Sequence, residues 1–148
     1  MPKHTVQDFM TVGPVVIARG RTLSEAHRVM RERAIRHLPV VEAGTLVGLV
    51  SQRDLYLLET LQGVDPATET VEEAMTREIY SVPPDAPLHD VAAEMAERRI
   101  GSAVVVDRGS VIGLFTTTDA LRALAAVQRG SRRAPAGSRS GRRPRSAS

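Results

Sequence analysis

The sequence of 148 residues repeats itself at an offset of 65 residues. Residues 6–58 align without a gap on residues 71–123, and 14 of the 53 aligned pairs are identical. The identities include the Met-Thr start of each copy, a Gly-Leu pair near its end and the aspartate that follows. A solenoid needs at least three stacked repeats, so two copies instead predict a pair of similar units related by a pseudo-twofold axis.

Each copy has the same order of expected elements. A short extended piece precedes a helix, which opens at the capping-box pattern TLSE in the first copy and at Pro87 in the second. Two apolar strands follow around a tight turn, and a helix over 52–61 or 117–128 closes the unit. A unit of about 55 residues forms only a marginal core. We therefore expect an α+β (α/β) protein of two β-α-β-β-α repeats packed through their sheets.

The composition suggests four segments. They are repeat 1 over 1–62, a Gly- and Pro-containing linker over 63–70, repeat 2 over 71–128 and a tail over 129–148. The tail holds seven of the 20 Lys and Arg residues and no acid, so the preceding chain has 13 basic against 17 acidic residues, a net charge of −4. Without large apolar side chains the tail cannot offset its ordering entropy, which predicts disorder.

Several classes of function are disfavoured by the residues present. The chain has no cysteine, its four histidines show no metal-ligand spacing, and no nucleophile is paired with a base. No apolar run approaches the roughly 18 residues of a membrane span. We expect a cytoplasmic protein that is not an enzyme and requires no cofactor or metal.

The stretch GLVSQRD, residues 48–54, reads first as a helix start. Ser51 and Asp54 fit a capping box, in which each side chain bonds the other residue's backbone N–H. The same frame returns as GLFTTTD, with Thr116 and Asp119 in the matching places. Taken alone, both aspartates can be plain helix-start carboxylates. Their recurrence favours a second role in binding.

The ordered set of motifs resembles the CBS domain, named for cystathionine β-synthase. The set is Met-Thr, an extended stretch, a Met-bearing helix, a PVVE or VVVD strand end and the Gly-Leu-x-[Ser/Thr]-x-x-Asp frame, and it occurs twice between residues 6 and about 125. Two tandem copies resemble a CBS pair, or Bateman module, here as a stand-alone protein. The resemblance implies a regulatory, energy-sensing role in which adenosine-containing ligands bind in clefts between the copies. AMP, ADP, ATP and S-adenosylmethionine are such ligands.

The resemblance also assigns residues to two sites. Aspartate holds the ribose hydroxyls, Ser or Thr contacts ribose or phosphate, and basic residues face phosphate at a helix start, where free N–H groups favour anions. The first site would comprise Arg36, His37, Ser51, Asp54, Thr76, Ser81 and Ile100. The second would comprise Thr11, Val16, Ile35, Thr116 and Asp119. Because Gly101 and Ser102 replace Arg36 and His37 in the second copy, we expect the Asp54 site to bind phosphorylated ligands better.

Other interpretations stay open at this point. Thr11 and Thr76 can simply end the turn before them, and Arg36 and His37 can be an exposed pair at a helix-strand corner. The resemblance implies a homodimer joined through helices, with an unidentified protein under its regulation. One alternative is a nucleic-acid-associated dimer whose Arg-rich tail binds the phosphates of the nucleic acid. Another is a purely structural dimerisation module with empty clefts.

Overall fold

The computed structural model describes residues 4–133, with side chains to residue 129. Each repeat contributes strands and two helices, and a 3-10 turn lies at the start of each aligned copy, at Val6–Asp8 and Val71–Glu73. The first repeat consists of β1 (Thr11–Val12), β2 (Ile17–Ala18), α1 (Leu23–Arg33), β3 (His37–Glu42), β4 (Thr45–Ser51) and α2 (Gln52–Glu59). The second consists of β5 (Ser81–Val82), α3 (Leu88–Arg98), β6 (Ser102–Asp107), β7 (Ser110–Thr116) and α4 (Thr117–Arg133).

Local sequence signals place the helices and hairpins where the repeat predicts them. Thr22 caps α1 through a capping box with Glu25, and Pro87 occupies the matching N-cap of α3. The β3–β4 turn has positive φ at Ala43 and Gly44, 51° and 82°, as a two-residue hairpin turn of type I′ requires. Its counterpart in the second repeat has φ values of 53° and 83°. The predicted fold class, two mixed α/β repeats, is confirmed.

The sheets exchange strands between the repeats. The order of the first sheet is β2-β3-β4, and that of the second is β1-β7-β6-β5. Strand β1 therefore leaves its own repeat and pairs antiparallel with β7, Thr11 opposite Leu114. The equivalent residue of the second repeat, Thr76, forms the matching antiparallel bridge to Leu49. This exchange brings the start of each repeat to the sheet of the other.

Two hydrophobic cores follow the same exchange. The core of the first repeat includes Leu38 and Val40 and also takes Val71 and Met75 from the start of the second. The other core centres on Phe115 and takes Val6 from the start of the first. Because each core is completed by the other repeat, neither repeat buries its apolar surface alone.

The ends of the closing helices differ from the expected bounds. Helix α2 ends at Glu59, two residues earlier than predicted, while α4 continues to Arg133. The first five residues of the expected tail are therefore helical, a correction of its predicted start. Residues 134–148 lie outside the described chain, so the predicted disorder there is not addressed. Across residues 4–133, no helix combines the length and apolar character of a membrane span.

Candidate functional site

Two clefts lie between the repeats, each at the start of a closing helix. Cleft A, about 890 Å³, lies beside the N-terminus of α2, and cleft B, about 700 Å³, lies beside that of α4. Residues of both repeats line each cleft, because the exchanged Met-Thr segments run along the opposite sheet. A ligand in either cleft would contact both repeats at once.

Cleft A brings together six of the seven residues predicted for the first site. They are Arg36, His37, Ser51, Asp54, Thr76 and Ile100. Ser81 does not line the cleft and is exposed in β5, while its neighbour Tyr80 does line it. Successive side chains of an extended segment point to opposite sides, so Tyr80 faces the cleft where the adjacent Ser81 does not.

Cleft B contains four of the five residues predicted for the second site. They are Thr11, Ile35, Thr116 and Asp119. Val16 does not line the cleft and is 41% exposed, while the preceding residue, Val15, lines it. The reason is the same alternation of side chains, since Val15 and Tyr80 are equivalent positions of the two repeats.

The capping box at the start of α2 leaves part of the Asp54 carboxylate free. The Asp54 backbone N–H donates to Ser51 Oγ at 3.0 Å, and Ser51 N–H donates to Asp54 Oδ2 at 2.9 Å. Among the described residues, Asp54 Oδ1 accepts no hydrogen bond. A half-buried carboxylate oxygen that faces a cleft can accept from hydroxyl groups of a ligand.

The equivalent carboxylate in cleft B is already engaged by the protein. Asp119 is only 2% exposed and accepts from the Thr116 N–H at 2.9 Å and from its hydroxyl at 3.2 Å. The Thr11 hydroxyl donates at 3.4 Å, and Arg122 Nη1 donates at 3.1 Å. A ligand hydroxyl would have to displace one of these donors. The two clefts therefore share a frame and differ in how freely their aspartates can bind.

Cleft A carries more positive charge than its predicted residues suggest. Four arginines line it, against the two carboxylates of Asp54 and Glu78; they are Arg36, Arg53, Arg98 and Arg99. The Arg98 guanidinium lies 5.0 Å from the centre of the Tyr80 ring. The sequence prediction missed Tyr80, Arg98 and Arg99. The alignment of Arg98 with Arg33, at the end of each first helix, was the signal available for one of them.

His37 lies where the first repeat meets the second. Burial lowers the pKa of the His37 imidazole below its usual range, and the Arg36 charge lowers it further, although Asp54 opposes the shift. The ring is therefore neutral at pH 7. A neutral imidazole can accept as well as donate a hydrogen bond in the clefts.

Comparison with known proteins places both repeats in one family. The CBS-domain family model matches residues 6–58 and 71–126. The CBS domain-containing protein YhcV of Bacillus subtilis is 33% identical over 115 residues, which is 78% of this chain and 81% of that protein. The two matched ranges fall within the two repeats seen in the sequence.

Solved structures share the whole arrangement of two repeats. A putative acetoin utilization protein (AcuB) of Vibrio cholerae has a TM-score of 0.81 at 30% identity, over 90% of this chain and 98% of that one. The CBS-domain pair of protein MJ0100, in complex with 5′-methylthioadenosine and S-adenosyl-L-methionine, has a TM-score of 0.77 at 28% identity, over 85% and 99%. CBSX2 of Arabidopsis thaliana, in complex with AMP, has a TM-score of 0.73 at 29% identity, over 85% and 99%.

Proposed function

We propose that this chain, which belongs to the CBS-domain family and carries two copies of the domain, is a non-catalytic sensor of adenine nucleotides. The observation that carries the proposal is the frame in cleft A, where a helix start and a partly free Asp54 carboxylate face four arginines. Two structural neighbours, named in complex with AMP and with S-adenosyl-L-methionine, support an adenosine-containing ligand.

Each residue of cleft A would contact a particular part of the ligand. Asp54 would accept from the vicinal ribose hydroxyls, and Ser51 would lie beside the ribose and phosphate. Ile100 and Tyr80 would flank the adenine, with Thr76 at its edge. The arginines would bind phosphate, for which bidentate guanidinium contacts are well suited. In cleft B, Asp119, Thr116, Thr11, Ile35 and Val15 would take the corresponding places.

The charge of cleft A favours a phosphorylated ligand over S-adenosylmethionine. The sulfonium and ammonium groups of S-adenosylmethionine are cationic, whereas AMP, ADP and ATP are anionic. Four arginines against two carboxylates attract the anionic ligands and repel the cationic one. We therefore expect AMP, ADP or ATP in cleft A.

Binding would act on the relative orientation of the repeats. A ligand in cleft A would contact Asp54 of the first repeat and Thr76 and Ile100 of the second. It would therefore favour the orientation in which all three contacts form, by its difference in affinity between orientations.

A melting experiment tests the proposed function. The expected result is a rise in melting temperature with AMP, ADP or ATP at millimolar concentration and a smaller rise with S-adenosylmethionine, because a ligand that binds the folded state more tightly stabilises it more. A panel with no shift for any adenosine-containing ligand would instead favour the purely structural module with empty clefts.

We also propose that the chain forms a homodimer through α2 and α4. These helices expose large apolar side chains, including the equivalent residues Tyr56 and Leu121, which are 54% and 61% exposed. Because equivalent helices of the two repeats both expose apolar side chains, the same surface of a second copy of the chain can pack against them. Exposed apolar side chains on a soluble protein, when they form a patch, usually mark a surface that another molecule covers.

The dimer is tested by the molar mass in solution. Light scattering is expected to give twice the 16.0 kDa chain mass, and Leu121→Lys is expected to give the monomer because a charge cannot be buried unpaired in this patch. The matched control is Val12→Lys, since Val12 is 74% exposed but belongs to β1 and to neither helix. A wild-type mass of one chain contradicts the proposal.

A further inference from the structure

The two clefts share one group of residues. Arg36, His37 and Gly101 line cleft A and also line cleft B. No other residue described along the chain belongs to both linings. The resemblance to the CBS domain assigns Arg36 and His37 to the Asp54 site. In the structure these two residues lie between the two clefts and line both of them.

Asymmetry between the repeats explains this sharing. At the 65-residue offset Arg36 corresponds to Gly101, so one copy has a long cation where the other has no side chain. His37 fills the space this leaves, and its Nε2 lies 3.4 Å from the position that a Cβ on Gly101 would occupy. A Cβ at that position would therefore be in van der Waals contact with the ring. Arg36 and His37 of the first repeat thus reach the cleft of the second beside a residue that has no side chain of its own.

The backbone brings both helix starts to the same place. The first N–H of α2, on Gln52, donates to the Arg36 carbonyl at 2.9 Å. The first N–H of α4, on Thr117, donates to the Gly101 carbonyl at 3.1 Å. Phosphate groups bound beside the two helix starts would thus approach each other across Arg36 and His37.

We propose that Arg36 is an anion-binding residue common to both clefts, so that phosphorylated ligands in the two clefts bind with negative coupling. The inference rests on the proposed nucleotide binding and adds the interaction between its sites. A phosphate in cleft A engages the one guanidinium that both clefts contact and brings negative charge near cleft B. By linkage, a phosphate in cleft B weakens binding in cleft A by the same factor.

The remaining cations make cleft B depend on Arg36 more than cleft A does. Without Arg36, cleft A keeps three arginines, namely Arg53, Arg98 and Arg99. Cleft B keeps Arg33 and Arg122, and Arg122 already donates to Asp119. The loss of Arg36 to a ligand in cleft A therefore removes a large part of the free positive charge of cleft B.

Calorimetric titration of AMP and adenosine into the full chain tests the coupling. With AMP, the second binding event of the wild type is expected to be about tenfold weaker than AMP binding to cleft B in Asp54→Ala, whose cleft A is disabled. With adenosine, which has no phosphate, the two affinities should agree. Equal AMP affinities for cleft B in the two proteins overturn the coupling but leave nucleotide binding intact.

Two arginine variants identify the shared residue. Arg36→Ala should weaken AMP binding in both clefts. It should also abolish the coupling, so that the second AMP binds no more weakly relative to the first than the second adenosine does. The matched control, Arg98→Ala, should weaken only the event in cleft A, because Arg98 lines that cleft alone. If Arg36→Ala also affects one cleft only, Arg36 is not shared. Absence of heat with both AMP and adenosine in the wild type overturns the proposed function itself, and the coupling with it.

Discussion

Replacement of Asp54 by alanine is expected to weaken AMP binding in cleft A by roughly 10- to 100-fold, since a hydrogen bond to a charged group contributes about 1.5–3 kcal/mol. The carboxylate has one oxygen bound to the Ser51 N–H and one without a described donor, so it can accept from ribose. Calorimetric titration with AMP measures the loss. The capping box is also lost, so the variant will be somewhat less stable.

A second capping box in the same chain separates the two roles of Asp54. Glu25 bonds the Thr22 backbone N–H at 3.1 Å, as Asp54 bonds Ser51, but it lies at the start of α1 and lines neither cleft. Glu25→Ala should likewise lower stability through the loss of its capping box, and leave AMP affinity unchanged. If Asp54→Ala behaves like Glu25→Ala, the aspartate is only a helix cap.

The aspartate of cleft B provides the comparison between sites. Asp119→Ala should reduce AMP binding less than Asp54→Ala, because Asp119 is already engaged by Arg122 and Thr11. It should cost more stability, about 1–3 kcal/mol, since buried donors lose their acceptor. Equal losses of AMP affinity in the two variants would contradict the ranking of the clefts.

Gly48→Ala is expected to destabilise the fold by about 1–3 kcal/mol, although alanine is ordinarily preferred over glycine in a strand. A Cβ at residue 48 would lie 2.9 Å from Met75 Cγ and 3.0 Å from the Thr76 carbonyl oxygen. The Thr76 backbone cannot move away without breaking its hydrogen bonds with Leu49. Because Thr76 lines cleft A, the substitution should also weaken AMP binding there. Urea unfolding measures the loss of stability.

Three substitutions control for the general effect of replacing glycine. Gly20→Ala should change the free energy of unfolding by less than about 0.5 kcal/mol, since no atom lies within 4 Å of its Cβ position. Gly113→Ala should act like Gly48→Ala but less strongly, because the three atoms nearest to its Cβ position all belong to the flexible Met10 side chain. Combining Gly48→Ala with Met75→Ala should cost less than the sum of the single changes. Full additivity would show that Met75 does not set the requirement for glycine.

The elements predicted most accurately from the sequence are those that depend on neighbouring residues. Both hairpin turns need positive φ at two successive positions, which Ala43–Gly44 signals directly. The capping boxes at Thr22 and Ser51 likewise depend on side chains three residues apart. The repeat supplied the rest of the architecture, because the second copy confirms each signal of the first.

Features that depend on tertiary contacts could not be predicted in the same way. The pairing of Thr11 with β7 joins residues about 100 positions apart, and no local pattern specifies it. The side of an extended segment that faces a cleft depends on register, so Ser81 was chosen where Tyr80 lines the cleft. The position of Arg36 in the linings of both clefts depends on how the two repeats pack, which no local pattern specifies.

The most direct test of the account is calorimetric titration of AMP into the wild-type chain. The account predicts saturable binding at cleft A that is roughly 10- to 100-fold weaker in Asp54→Ala and unchanged in Glu25→Ala. It also predicts weaker binding of S-adenosylmethionine, because the arginines of cleft A repel its positive groups. Absence of AMP binding at millimolar concentration, or AMP binding that Asp54→Ala leaves unchanged, would contradict it.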